Sequence, residues 1–296
     1  MNSAESLKRS LSVAEELRSV VKTMKALAGI NVRAYERSAH AVAEYNRTVE
    51  MGLQIALQQI ESPVLPARRT SENRLGAIVF GSDQGMCGLL NDQVVSHVTR
   101  ALKKLAVGHA EQFIVAVGAR AAAQLEARGR EVEAVLRVPT SVAGIGAAVE
   151  EILKKIDEWR TVQSIGLVTL FHARPVPGGG HRVLGTRLLP LDAEWIRALK
   201  ARPWPGKVNP MFTMHKEELF QALVREYLFA SLFRALAESL VSENSSRLDS
   251  MQAAEHNIDD RLRALTMEAR QVRQSAITSE LLDIISSFEA LRGKSS

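Results

Sequence analysis

The last third of the chain is the feature that most constrains its fold, because nothing in it interrupts a helix. From Met211 to Arg292, 82 residues pass without a glycine or a proline, whereas all nine prolines fall between Pro63 and Pro210. Apolar residues recur in this stretch at steps of three and four, the spacing of a helix with one buried stripe. Such a helix would be about 120 Å long at the usual rise per residue, against roughly 40 Å for a compact domain of about 150 residues. It therefore needs a partner along its stripe.

The start of the chain supplies that partner. Apolar residues also recur there at steps of three and four as far as Ile60, and the first proline is Pro63. Two long amphipathic helices therefore bracket the chain, and an antiparallel coiled coil is the simplest arrangement that buries both stripes. The sequence predicts a first helix within residues 1–62 and a last helix within residues 211–296.

The middle of the chain, residues 63–210, alternates between two kinds of segment. Short apolar runs that are typical of buried strands are followed by stretches with helical spacing, which predicts a mostly parallel α/β sheet of Rossmann-like type. The last two strands, joined by a short glycine-rich loop, are expected to form a hairpin, and residues 191–210 to lead back to the last helix. The predicted strands are 75–80, 112–117, 131–138, 164–171 and 182–190, and the predicted helices are 89–105, 119–128 and 141–159.

Composition limits the classes of protein to which the chain can belong. A single cysteine, Cys87, excludes an internal disulfide, and no apolar run approaches the roughly 20 residues of a membrane span. The acids Glu5, Glu15 and Glu16 do not suit a signal or transit peptide. Residues 61–210 hold the excess positive charge, which we interpret as a solvated face rather than a site for nucleic acid or an acidic membrane surface. No aromatic residues interleave a basic patch, as a nucleic-acid site would favour.

A search for catalytic chemistry finds no active site. Gly81, Gly85 and Gly88 follow a predicted strand, but their spacing matches neither a dinucleotide-binding turn nor a P-loop. None of the seven histidines has another histidine three or four positions away, so a histidine-rich metal site is not indicated. The turn is better explained as a tight strand-to-helix connection. We expect a protein without enzymatic activity of its own and without a cofactor.

Two polar stretches interrupt the stripe of the last helix. Residues 242–247 are all polar where apolar residues should continue. They are either a solvated stretch where the coil opens or a surface offered to a partner. Residues 270–275 place two arginines and two glutamines around the narrow stripe residue Val272, which leaves a structural and a functional interpretation equally open.

Three blocks of sequence resemble the gamma subunit of F-type ATP synthases, of which the chain is identified as a somewhat divergent member. They keep the family's order along nearly the whole chain. The blocks are residues 21–28 (VKTMKALA), 82–91 (SDQGMCGLLN), and, in the last helix, 242–243 (SE) with 247–251 (RLDSM) and 273–281 (RQSAITSEL). Departures from the family pattern lie at residues 29–33, at Gln84 and Leu90, and at residues 268–271.

The resemblance implies a rotor shaft that turns inside a ring of alpha and beta subunits. The sheet domain would stand near the epsilon subunit and the membrane c-ring, with the protein peripheral on the cytoplasmic face of a bacterial plasma membrane. Coupling of ion flow to ATP synthesis or hydrolysis follows from this role, and no nucleic-acid partner is expected. The residues that match the family's stator contacts are Met24, Arg247, Arg273, Gln274 and Thr278.

A second hypothesis from a different class is a coiled-coil scaffold whose α/β domain binds a small ligand or an adaptor protein. The absence of a phosphate-binding glycine turn argues against the ligand. The three ordered blocks argue against a generic scaffold.

Overall fold

Two long helices dominate the computed structural model, which describes residues 4–60, 71–105, 108–205 and 210–292. Helix α1 spans Ala4–Gln58 and the last helix, α6, spans Lys216–Arg292. Helix α6 begins five residues later than Met211, at a first turn that carries Glu217 and Glu218, where acidic side chains are favoured by the helix dipole. The predicted domain boundary between residues 62 and 63 lies outside the described residues, and the boundary between residues 210 and 211 stays a prediction.

The elements between the two helices alternate as the sequence predicts. The strands are β1 (Ser71–Phe80), β2 (Gln112–Val117), β3 (Ala134–Leu136), β4 (Ile165–Pro175) and β5 (His181–Leu189). The intervening helices are α2 (Leu90–Lys104), α3 (Ala119–Ala127), α4 (Val142–Thr161) and α5 (Ala193–Ala201).

The strands form one sheet in the order β3-β2-β1-β4-β5. The pairs β1 with β2, β1 with β4, and β2 with β3 are parallel, whereas β4 and β5 are antiparallel. The predicted mostly parallel sheet with a terminal hairpin is therefore confirmed. Parallel strands need crossover connections, and helices α2, α3 and α4 lie in those connections.

Alternate residues of β1 face two different cores, as the pleat of a strand requires. Leu75, Ala77 and Val79 pack with helices α2 and α3 on one face of the sheet. Ile78 and Phe80 pack on the other face with α4 and with parts of α1 and α6. The ring of Trp159, in α4, lies against Gly76, where an added Cβ would come within 2.4 Å of it. Only glycine fits at that position.

The chain divides into two compact units, each of which contains part of α1 and part of α6. The coil unit consists of Met1–Leu27 with Leu248–Ser296, and the sheet unit is Ala28–Arg247. In the coil unit, Leu7 and Ala14 pack with Leu265, and Arg18 forms an ion pair with Asp259 at 2.8 Å. Residues later in α1 contact residues earlier in α6, so the two helices are antiparallel here.

The sheet unit contains a second stretch of the antiparallel helix pair. Tyr45 donates a hydrogen bond to Glu226 at 2.6 Å, and Ala28 at the start of the unit is buried. The antiparallel pair that the two apolar stripes predict is therefore confirmed. No helix among the described residues combines the length and apolarity that crossing a bilayer requires.

Two details differ from the sequence-based predictions, and a third excludes one of two alternatives that the sequence leaves open. The predicted strand 131–138 is reduced to the three residues of β3. Residues 191–210 contain helix α5, which the prolines at 203 and 205 concealed; Asp192 caps it by accepting a hydrogen bond from the backbone N–H of Glu194 at 3.0 Å. The polar stretch 242–247 is not an open, solvated part of the helix pair, because its first three residues are buried.

Candidate functional site

The residues that resemble stator contacts are divided between the two units. Met24, Arg273, Gln274 and Thr278 belong to the coil unit, and Arg247 is the last residue of the sheet unit. Four of the five residues therefore lie in the coil unit and one in the sheet unit.

Three of these residues lie on the surface near the end of α6. Arg273, Gln274 and Thr278 are exposed, and the Thr278 hydroxyl donates to the backbone oxygen of Gln274 at 3.0 Å. Met24 is half-buried in α1, beside the ion pair that Lys25 makes with Glu255. These exposed side chains near the end of α6 offer several hydrogen-bond donors to a partner. They do not form a buried pocket for a small molecule, because all three are exposed.

Arg247 is in a different environment. Its side chain is only 11% exposed, and its Nη2 donates to Glu243 Oε1 at 2.6 Å, one helical turn away. Among the described residues, neither Arg247 Nε nor Glu243 Oε2 has a hydrogen-bond partner, although both atoms are buried. A buried charged pair with unused hydrogen-bonding capacity is costly to a fold, which makes this pair a candidate for function.

The glycine turn after β1 lies next to this pair and is held firmly by its own hydrogen bonds. The Asp83 carboxylate accepts from the backbone N–H groups of Ala119 and Val138, each at 2.9 Å. Asn91 bridges to Ser82, accepting from its backbone N–H at 3.1 Å and donating to its hydroxyl at 2.8 Å. The turn therefore uses its polar groups to join the ends of three strands.

Two glycines allow the backbone to pack closely at this turn. Gly118 has φ +120°, in the region that favours glycine, and an added Cβ would come within 2.7 Å of the Ser82 backbone. An added Cβ at Gly81 would come within 2.3 Å of Ala121. Cys87 is buried in the turn within 3.5 Å of the Ser82 hydroxyl, as expected for a small residue that fills space.

A cavity of about 220 Å³ separates the turn from the helix pair. Tyr35 Oη donates to the Pro139 oxygen at 3.5 Å on one side of it, and Asn31 Nδ2 donates to Asn244 Oδ1 at 3.4 Å on another. The polar residues that line it are Asn31, Tyr35, Asp83, Gln84, Thr140, Glu243, Asn244 and Arg247.

Burial beside this cavity shifts two pKa values upward. Burial raises the pKa of Glu243, and the Asp83 carboxylate raises it further, while the Arg247 guanidinium acts in the opposite direction. Burial likewise raises the pKa of Tyr35, with a further contribution from Glu243. The cavity therefore disfavours negative charge at Glu243, despite the adjacent arginine.

A second buried carboxylate, Glu238, lies five residues earlier in α6 and has more partners. It accepts from Arg174 Nε at 2.7 Å and Arg234 Nε at 2.9 Å, and His172 Nε2 lies 3.0 Å from it. Burial alone raises the pKa of Glu238, but these three hydrogen bonds outweigh burial and lower the pKa to about 2. Glu238 is therefore ionised and fully engaged in joining α6 to strand β4.

Sequence patterns alone did not identify this Glu238 cluster. His172 and Arg174 lie 66 and 64 residues before Glu238. The one available signal was an acid placed next to the apolar stripe of α6, between Ala237 and Leu240. The described residues contain no group of three or more His, Cys, Asp or Glu side chains that could hold a metal ion.

Comparison with known proteins gives matches along nearly the whole chain. A family model described as ATP synthase matches residues 3–291. A protein of Cyanothece sp. named ATP synthase gamma chain is 25% identical over 320 residues, covering 99% of this chain and 100% of that protein. A protein of Cupriavidus pinatubonensis with the same name is 24% identical over 294 residues, covering 98% of this chain and 100% of that protein.

A solved structure shares the fold at low sequence identity. The cryo-EM structure of the Euglena gracilis mitochondrial ATP synthase, described as containing OSCP, F1 and the c-ring, includes a chain that matches with a TM-score of 0.64 and 17% identity. The match covers 99% of this chain and 96% of that one. The two long helices and the sheet are therefore an arrangement that also occurs in that assembly.

Proposed function

Because the chain belongs to the ATP synthase family, whose model it matches over residues 3–291, we propose that it is the noncatalytic central rotor subunit of an F-type ATP synthase. The observation that carries this proposal is the full-length match to proteins named ATP synthase gamma chain, together with an antiparallel pair of long helices. The resemblance seen in the three sequence blocks is thereby confirmed. A scaffold that binds an adaptor is not supported by these comparisons.

The helix pair can couple rotation to chemistry on other subunits without an active site of its own. An asymmetric shaft inside a ring of alternating alpha and beta subunits contacts each catalytic subunit differently. Each nucleotide site is then biased to a different conformation by the difference in contact free energy. When the shaft turns, these biases move to the next subunit, and ion flow through the membrane ring is linked to ATP synthesis or hydrolysis.

The exposed end of α6 suits such contacts. Arginine and glutamine side chains offer several donors to carboxylates and backbone oxygens, and charge-assisted bonds of this kind can be made in one rotary position and released in the next. The exposure of Arg273, Gln274 and Thr278 supports their assignment as stator contacts. Met24 and Arg247, which are less exposed, belong to the same proposed set.

The remaining partners and the location follow from the proposed role. The partners are the alpha and beta subunits of the ring, the epsilon subunit and the membrane c-ring. Since the relatives from Cyanothece and Cupriavidus are bacterial proteins, we place the chain on the cytoplasmic face of a bacterial plasma membrane, as a peripheral subunit.

A double substitution in α6 tests the proposed contacts. Arg273→Ala with Gln274→Ala should leave the melting temperature of the isolated chain unchanged, because both side chains are exposed. In the complex assembled with alpha and beta subunits, the same change should lower the ATP hydrolysis rate about tenfold, as expected when a charge-assisted hydrogen bond is lost.

The matched control is Arg263→Ala, which removes another exposed arginine of α6 that forms an ion pair with Asp260 at 2.8 Å and donates from Nε to the Asp259 backbone oxygen at 3.4 Å. It should leave the hydrolysis rate of the complex at the wild-type value. Normal hydrolysis and ion pumping in the Arg273 and Gln274 double variant would reject the contact assignment. A large fall in melting temperature would instead assign these residues a structural role.

A further inference from the structure

Two sequence blocks that the rotor role does not by itself explain meet at the buried pair of Glu243 and Arg247. Glu243 and Arg247 lie in the polar interruption of α6, and Asp83 lies in the glycine turn after β1. Residues of both blocks line one cavity. At this cavity, the Asp83 carboxylate repels the Glu243 carboxylate and raises its pKa.

Asp83 is a fixed negative charge at this cavity. Two backbone N–H groups, from Ala119 and Val138, hold its carboxylate at 2.9 Å each. These residues follow β2 and β3, so the position of the Asp83 carboxylate is tied to the rigid edge of the sheet. A buried carboxylate that faces it, such as Glu243, is repelled by it.

The Arg247 guanidinium is folded back onto Glu243. The hydrogen bond of 2.6 Å uses one terminal nitrogen of the guanidinium, and the buried Nε is left without a partner among the described residues. With 11% of its side chain exposed, Arg247 reaches a partner protein only through a limited part of its surface. Which donors it presents is set by the Glu243 carboxylate, because the flexible arginine side chain would otherwise sample many rotamers.

We propose that Glu243 is a positioning residue for Arg247, holding its guanidinium in the orientation in which the remaining donors meet the stator. The Asp83 carboxylate, fixed by the sheet, keeps Glu243 directed toward Arg247. This inference rests on the proposed function, because it assumes that Arg247 contacts the ring.

A double-mutant cycle in the assembled complex tests the inference. Arg247→Ala should lower the ATP hydrolysis rate about tenfold, the usual cost of one charge-assisted contact. Glu243→Gln, which keeps the shape and removes the charge, should lower it about threefold, because the guanidinium is held by a neutral acceptor. In the Arg247→Ala background, Glu243→Gln should have no further effect.

A pH profile separates positioning from a general structural role. The charged groups that face Glu243 are Arg247 on α6 and Asp83 in the turn, and Tyr35 of α1 adds a titratable hydroxyl. As the pH falls and Glu243 takes up a proton, the wild type should come to resemble Glu243→Gln. The ratio of the two hydrolysis rates should therefore fall from about three at alkaline pH toward one at acidic pH, since glutamine does not titrate. A purely structural role would leave the ratio constant.

The matched control is Glu226→Gln, which removes an exposed carboxylate of α6 that accepts the Tyr45 hydroxyl at 2.6 Å. It should leave the rate and its pH profile unchanged. If Arg247→Ala is as active as the wild type, the contact proposed for Arg247 fails, and the inference with it. If Arg247→Ala is slow but Glu243→Gln is normal, or slows both backgrounds equally, the positioning role alone is overturned.

Discussion

Two buried carboxylates of helix α6, Glu238 and Glu243, lie five residues apart, and their pKa values are shifted in opposite directions. Glu238 receives hydrogen bonds from Arg174 and Arg234 and pairs with His172, and its pKa falls to about 2. Glu243 has one arginine partner and faces a second carboxylate, and burial raises its pKa. The cost of burial is therefore decided by how many donors the surrounding elements supply. Glu238 stabilises the fold. Among the described residues, Glu243 Oε2 has no hydrogen-bond partner, and Glu243 lies beside the arginine that we propose contacts the stator.

The largest expected effect on stability is that of Glu238→Gln. The lowering of its pKa from 4.5 to about 2 corresponds to about 3 kcal/mol. Since the Arg174 and Arg234 side chains are 40% and 45% exposed, screening by water reduces the expected loss in the free energy of unfolding to about 2 kcal/mol. Chemical denaturation of the full chain at neutral pH measures this loss.

The same substitution should also change the pH dependence of stability. A carboxyl whose pKa is lowered by folding contributes stability above its unfolded pKa, here near 4.5, and loses it as the pH falls toward about 2. The difference between the wild type and Glu238→Gln should therefore shrink over that range. A difference that stays constant would show that Glu238 acts through its shape and not its charge.

A smaller loss, about 1–2 kcal/mol, is expected for Arg247→Ala in the isolated chain, because Glu243 then faces Asp83 without the opposing guanidinium. Adding Glu243→Gln to this variant should restore most of the lost stability, since the uncompensated charge is removed. Denaturation curves of the single and double variants provide the measurement. If the double variant is no more stable than Arg247→Ala, the repulsion between the two carboxylates is not the cause of the loss.

The smallest effect is expected for Glu243→Gln alone near neutral pH, about 0.5 kcal/mol, because the glutamine amide oxygen can still accept the hydrogen bond from Arg247. Folding raises the pKa of Glu243, so its favourable contribution is complete below the unfolded pKa and is lost as the pH rises through the folded value. The glutamine variant should therefore gain stability relative to the wild type as the pH rises, opposite in sign to Glu238→Gln. If the stabilities of both variants relative to the wild type changed with pH in the same direction, the proposed contrast between Glu238 and Glu243 would be wrong.

The sequence predicts regular elements well wherever one local pattern dominates. Helices α1 and α6 follow from their apolar spacing and lack of proline, and strands β1 and β2 from short apolar runs. Helix α5 was missed because two prolines suggested a connecting loop, whereas the Asp192 cap starts a helix and Leu199 is buried in it. Strand β3 is shorter than predicted because only Ala134–Leu136 pair with β2.

The candidate site is less accessible to sequence reasoning. Arg273, Gln274 and Thr278 were identified by resemblance, and their role as contacts stays a prediction. The sequence marks residues 242–247 as a polar interruption of the apolar stripe, but it does not indicate that residues 242–244 are buried. Nothing local in the sequence indicates that Glu243 lies at the cavity beside the turn that follows β1.

By itself, the sequence determined the two helices, the α/β alternation between them and the family, because helical spacing, turn residues and motif order are properties of neighbouring positions along the chain. The tertiary structure decided which polar groups are buried together. Glu238 meets His172 across 66 residues, and Glu243 meets the fixed carboxylate of Asp83. The physical reason is that the number of donors around a buried charge depends on elements that only folding brings into contact.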